Sequence, residues 1–144
     1  MNEEADRNTE LTSPAGGSDI PARKRHVADR IYIRDGEYRR KCFYSEILWV
    51  EADRCNCYIY RKGKSKLLVI LPLAAMEKKL PPACFMRVHR SYIINIYEVD
   101  SFVGNAVYIG KEALPVSRRY RAELYAAYDF LESLRIEEGN CETE

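Results

Sequence analysis

The 144-residue sequence has no long apolar run. Its most apolar stretch, "LLVILPLAAM" (67–76), is about half of what a helix needs to cross a bilayer, and Pro72 interrupts it. The N-terminus lacks the apolar segment of an export signal. There is no C-x-x-C pair, and the five cysteines (Cys42, Cys55, Cys57, Cys84 and Cys141) form an odd set. That count argues against a disulfide framework and for a reducing cytoplasm. Also missing are a glycine-rich phosphate loop, an H-E-x-x-H pair and a G-x-S-x-G elbow. The two histidines, His26 and His89, have no ligand-like neighbours at helical spacing. Cys55-x-Cys57 could offer two thiolates to zinc, but structural sites prefer wider ligand spacing and need four donors. These absences point away from an enzyme and imply neither a cofactor nor a metal.

What is present begins with charge. The net charge is only +1, but it is segregated. Residues 1–22 and 136–144 carry −4 each, which leaves +9 on the body between them. A basic domain between acidic ends suits a polyanionic partner, although a solvated surface of ordinary charge fits the composition equally well. Residues 1–28 are polar, contain Pro, Gly and Ser, and read as a disordered acidic lead-in. One domain is expected over 29–135, followed by a flexible acidic tail over 136–144.

Within the body the pattern is mainly β. "RIYIR" and "EYRRKCF" flank Asp35-Gly36, a dipeptide suited to a tight hairpin. "EILWVEA" follows as an apolar, well-buried run. "CYIYRKGKSKLLVIL" turns around Gly63, and "EVDSFV" and "AVYIG" flank Gly104-Asn105. "ALPVS" reads as a further short strand. Pro72 opens a short helix, "PLAAMEKKL", with Leu73, Met76 and Leu80 at helical spacing. Ser117 can cap a last helix running to about Arg135, whose Tyr120, Leu124, Tyr128, Leu131 and Leu134 form a packing stripe. The expected class is mainly β, with small antiparallel sheets, one short internal helix and a C-terminal helix.

One stretch, "FMRVHRSYIINIYEV" (85–99), places His89 and Arg90 between two apolar runs. Its Phe85, Arg87, His89, Arg90, Ser91, Tyr92, Ile93, Ile94 and Asn95 resemble the signature of the LytTR DNA-binding domain of bacterial transcription regulators. "ILWVEA" (47–52) resembles that family's strand ending in Glu-Ala, and "LPVSRRY" (114–120) its late Pro-Val-Ser-Arg-x-aromatic segment. The resemblance spans roughly 29–134.

It implies an elongated arrangement of small antiparallel sheets that reads double-stranded DNA from sheet-edge loops entering successive major grooves. By the same resemblance, Arg90 sits where the family has a base-reading residue, and Arg119 at the second position that reaches DNA. A guanidinium can donate two hydrogen bonds to guanine. His89 can donate from one ring nitrogen while the other accepts a backbone bond, or it can do no more than cap its own turn. Arg118 offers charge to phosphate or is merely solvated. The loop after Glu51-Ala52 departs from the family pattern, with Arg54, Asn56 and Cys57 as its candidates. Asn95 is assigned to structure. Lys24, Arg25, Arg39, Arg40, Lys62, Lys64 and Lys66 are further phosphate candidates.

The resemblance also implies repeated half-sites and self-association on DNA. About 28 residues precede the first strand, too few for the phosphorylated receiver domain that many such regulators carry. Three rival readings remain. One is a protein-interaction module of this fold that regulates another transcription factor. The second is single-stranded nucleic-acid binding through some of the eleven tyrosines. The last is a metal-dependent enzyme through Cys55 and Cys57, which stoichiometric zinc in the purified protein would favour.

Overall fold

A computed structural model describes residues 25–132, so the lead-in over 1–24 and the tail over 136–144 lie outside the described residues. The chain divides into two units, Met1–Arg30 and Ile31–Glu144. In the first, residues 25–29 are exposed and Arg30 opens strand β1. The described chain contains ten strands and two α-helices. In chain order these are β1 (Arg30–Asp35), β2 (Tyr38–Phe43), β3 (Ile47–Asp53), β4 (Asn56–Arg61), β5 (Lys64–Val69), α1 (Leu73–Lys79), β6 (Phe85–His89), β7 (Tyr92–Asn95), β8 (Ser101–Val103), β9 (Ala106–Ile109), β10 (Glu112–Pro115) and α2 (Arg118–Ala126).

All three hairpins expected at glycines form. Gly36, Gly63 and Gly104 take φ of 66°, 59° and 56°, which a side-chain-bearing residue rarely adopts. A fourth turn at Gly110 joins β9 to β10.

Three antiparallel sheets result. β1 pairs with β2, β8–β10 form a three-stranded sheet ordered β10-β9-β8, and the remaining five strands run β5-β4-β3-β7-β6. The five-stranded sheet is covered on both faces. Val50 faces Ile59 and Ile93 across the ladders. On that face they pack with Cys57 and Phe85 against Leu73, Met76 and Leu80 of the α1 region, and against Cys42. Trp49 faces Tyr60 and Ile94 on the other side. There Trp49 and Ile94 pack with Val107, Ile109, Leu114, Val116 and Leu124. A strand buried on both faces has no reason to alternate polar and apolar residues, which is why "ILWV" is an unbroken run.

Asn95 ends β7 only 3% exposed. Its Nδ2 donates to the carbonyls of Tyr44 (3.2 Å) and Ile47 (2.9 Å), and its Oδ1 accepts from the Tyr97 N–H at 3.0 Å. The amide thus binds three backbone groups, the structural role expected of it.

The last helix is shorter than its sequence pattern suggests. It ends at Ala126 rather than near Arg135. Ser117 occupies the N-cap position, yet its side chain makes no capping bond; its backbone N–H donates to Val88 O at 2.8 Å instead. Beyond Ala126 the aromatic contacts are tertiary. The Tyr128 hydroxyl donates to Ile96 O at 2.8 Å, and burial pushes its pKa up to about 12. Phe130 folds back onto Phe102 and Tyr125, with centroids 5.2 and 5.4 Å away. Leu131 is 99% exposed and docks on none of the described residues, and Leu134 lies outside them.

Candidate nucleic-acid interface

The signature stretch folds as a hairpin, β6 and β7, with Arg90-Ser91 as its two-residue turn. A second tight turn, Arg54-Cys55, joins β3 to β4. Because β3 pairs with β7, the two turns emerge side by side at one end of the five-stranded sheet. Glu51 faces Tyr92, and the Ala52 N–H donates to Ser91 O at 2.8 Å. A third segment arrives from α2, anchored by the Ser117 to Val88 backbone bond. The β6–β7 hairpin and this third segment bound a cleft of about 450 Å³ lined by Arg87, His89, Arg90, Ser117, Arg119 and Tyr120.

Arg90 and Arg119 are exposed, and the Arg119 guanidinium lies 5.1 Å from the centroid of the Tyr120 ring. His89 is half-buried and tilted against Tyr92, and its Nδ1 accepts the Ser91 N–H at 3.1 Å. In the neutral ring this leaves the proton on Nε2, so the turn-capping role and a donor role coexist. Arg118 is exposed at the first position of α2.

A family model described as the LytTr DNA-binding domain matches residues 40–129. The chain belongs to the LytTR family. Two relatives are the sensory transduction proteins LytT of Bacillus anthracis and Bacillus cereus. They are 50% and 48% identical to this LytTR chain over 58 residues, 36% of this chain and 24% of each relative. The match thus spans about a quarter of the length of those proteins. A solved LytTr DNA-binding domain from Bacillus cereus superimposes with a TM-score of 0.58 at 19% identity, covering 71% of this chain and 98% of that one. At that identity the likeness establishes the fold.

The remaining candidates of this LytTR domain divide by strand register. Arg54 is exposed in its turn, with φ of 60°. It is the one described non-glycine residue at positive φ. Asn56 is half-buried opposite Asp53. Cys57 does not reach the interface, and the expectation that placed it there is corrected. It is fully buried opposite Ala52, and its thiol donates to Leu71 O at 3.0 Å. Burial raises the pKa of that thiol. The two-residue turn sets the parity: Cys55 is exposed at the tip, while Cys57 falls on the face covered by α1. Among the described residues no group of three or more His, Cys, Asp or Glu could hold a metal ion, and no helix is long and apolar enough to cross a membrane.

Several phosphate candidates are also displaced from the cleft. Lys62 and Lys64 sit at the far end of β4, which at about 3.3 Å per residue lies close to 20 Å from the Arg54 turn. There they pair with Glu98 (2.9 Å) and Glu46 (2.7 Å). Arg40 pairs with Asp35 at 2.7 Å, and Lys66 lies over the Tyr58 and Tyr60 rings at 4.2 and 5.5 Å. Arg25 and Arg39 are exposed, and Lys24 lies outside the described residues.

Sequence reading missed Arg87. Its signal is a lone arginine inside an apolar strand, which must find hydrogen-bond acceptors if it is even partly buried. It finds three, and they include the carbonyls of His89 and Arg90.

Proposed function

We propose that this LytTR domain binds double-stranded DNA in a sequence-specific manner as a bacterial transcription regulator acting in the cytoplasm. It reads major grooves from turns at one end of the five-stranded sheet. The observation that carries this reading is the convergence of His89, Arg90 and Arg119, from two separate segments, on one cleft beside the Arg54 turn. Arg90 and Arg119 are the base readers, each able to present a planar fork to guanine. Asn56 and Arg54 extend the contact along the neighbouring turn. Arg118 and the helix start favour phosphate, and His89 donates from Nε2. Two copies occupy repeated half-sites and associate there.

The test is selection from a random duplex library at moderate salt. An enriched, repeated motif is expected. A folded protein that enriches nothing would overturn the proposal and redirect the work to a protein partner.

The backbone at Arg54 allows a sharper expectation. A side-chain-bearing residue in the left-handed region costs about 1–2 kcal/mol, partly offset in glycine by its greater freedom in the unfolded chain. Every other described positive-φ position in this chain is glycine. Arg54→Gly is therefore expected to raise the urea midpoint, by about 0.5–1 kcal/mol of stability, while weakening binding to the selected duplex. A variant that is more stable and binds equally well would remove Arg54 from the interface.

A further inference from the structure

The hairpin that carries His89 and Arg90 is irregular. Its register shifts between Arg87 and His89, so the strand bulges at Val88. Val88 is fully buried in the core shared with Val107 and Leu124, and its carbonyl accepts the Ser117 N–H. A bulge seats Val88 there, but it also releases the turn from the plain ladder that would otherwise fix its direction.

One side chain takes over that task. The Arg87 guanidinium donates from Nε to His89 O at 2.9 Å and from Nη2 to Arg90 O at 2.7 Å. Its Nη1 donates to Glu77 Oε1 at 2.8 Å. Arg87 is only 17% exposed, whereas Glu77 is 48% exposed on α1, whose Leu73 and Met76 are core residues. The guanidinium is therefore held on one side by a helix packed into the core, and on the other it grips two successive carbonyls of the turn.

We infer that Glu77 and Arg87 are positioning residues that aim the His89-Arg90 turn, an inference that rests on the DNA-reading role proposed for that turn. Three features support it. The planar fork is needed, because a lysine ammonium cannot hold two carbonyls and a carboxylate in that fixed geometry. The charge of Arg87 is matched by Glu77, so it adds little to attraction for phosphate. And the contacts go to backbone carbonyls, so they set the direction of the turn without using the side chains that read DNA.

The test compares Arg87→Lys, Glu77→Ala and Glu77→Gln in the full chain. Three quantities are measured: affinity for the selected duplex, the salt dependence of binding to a scrambled duplex, and amide hydrogen exchange over 89–92. For Arg87→Lys and Glu77→Ala the expected result is a loss of about tenfold or more on the selected duplex. Affinity for the scrambled duplex should stay within about twofold with an unchanged salt slope, and exchange over 89–92 should accelerate. Glu77→Gln retains an acceptor and should preserve most of the specific affinity. An equal loss on both duplexes from Arg87→Lys would make Arg87 a direct contact to the DNA backbone and overturn the inference. Unchanged exchange over 89–92 would overturn it as well. Should Arg87→Lys fail to fold, the exposed Glu77 pair still decides. If the wild-type chain prefers no duplex, the DNA-reading proposal fails, and exchange alone then reports whether the clamp orders the turn.

Discussion

Replacing Arg90 with alanine is expected to cost about 1–3 kcal/mol of affinity for the selected duplex, a factor of roughly five to 150, and to blur the preference at one base position. Stability should barely change. Arg90 is exposed at the tip of a two-residue turn, and the turn is held by its neighbours rather than by the Arg90 side chain. Arg90→Lys separates the two things an arginine can do. It keeps the charge, so binding to a scrambled duplex and its salt slope should survive; it loses the two-pronged donor, so the specific increment should fall nearly as far as in the alanine variant. Arg119→Ala should behave like Arg90→Ala, at a different base position. The two residues line one cleft, so the double variant need not be the sum of the singles. Titrations of selected and scrambled duplexes at two salt concentrations check all of this. A uniform loss across sequences, with the slope reduced by about 0.9, would reassign Arg90 to the phosphate backbone.

Asn95→Ala is expected to be the most damaging single change to stability outside the large apolar side chains. The variant strips hydrogen bonds from two carbonyls, Tyr44 O and Ile47 O, and from the Tyr97 N–H, at a position 3% exposed. Buried groups left without partners cost about 1–3 kcal/mol each, and water entering the small space vacated by the amide recovers part of that. A net loss of about 2–4 kcal/mol follows, a large fraction of the 5–15 kcal/mol typical of a domain. Asn95→Asp should be no better, because it keeps an acceptor for Tyr97 but points a carboxylate at two carbonyls. Urea unfolding of both variants gives the answer. DNA affinity of whatever remains folded should be close to wild type, since Asn95 ends β7 away from the Arg90-Ser91 turn. A midpoint within error of the wild type would show that the amide network contributes nothing to stability.

These two residues also show how much could be read without coordinates. Both belong to one motif, and the placing of each was legible there: an exposed arginine in the turn and an amide tying down backbone. Arg87 belongs to the same motif, but its role was not legible. Its acceptors are a carboxylate ten residues earlier on a helix and the two carbonyls of the turn, and no spacing rule indicates that they meet. Cys57 failed for a different reason. In a strand covered on both faces, apolar residues occur at every position, so the sequence pattern does not say which face a given side chain takes.

What the sequence by itself determined is therefore local. Tight turns need particular backbone angles, and glycines at 36, 63 and 104 supply them within two or three residues, so the hairpins and the mainly β class could be read directly. What only the tertiary structure decided is where distant pieces meet. The two-residue turn at Arg54-Cys55 set the parity that exposes Cys55 and buries Cys57. The β3–β7 pairing and the Ser117 anchor brought two turns and a helix start to one end of the sheet, while β4 carried Lys62 and Lys64 to the other. Tertiary aromatic contacts, not a capping signal, accompany the early end of α2 at Ala126. The Arg54-Cys55 turn is local; in the other cases the deciding energy comes from burial and hydrogen bonding between residues far apart in the chain, and these exist only once the sheets have packed.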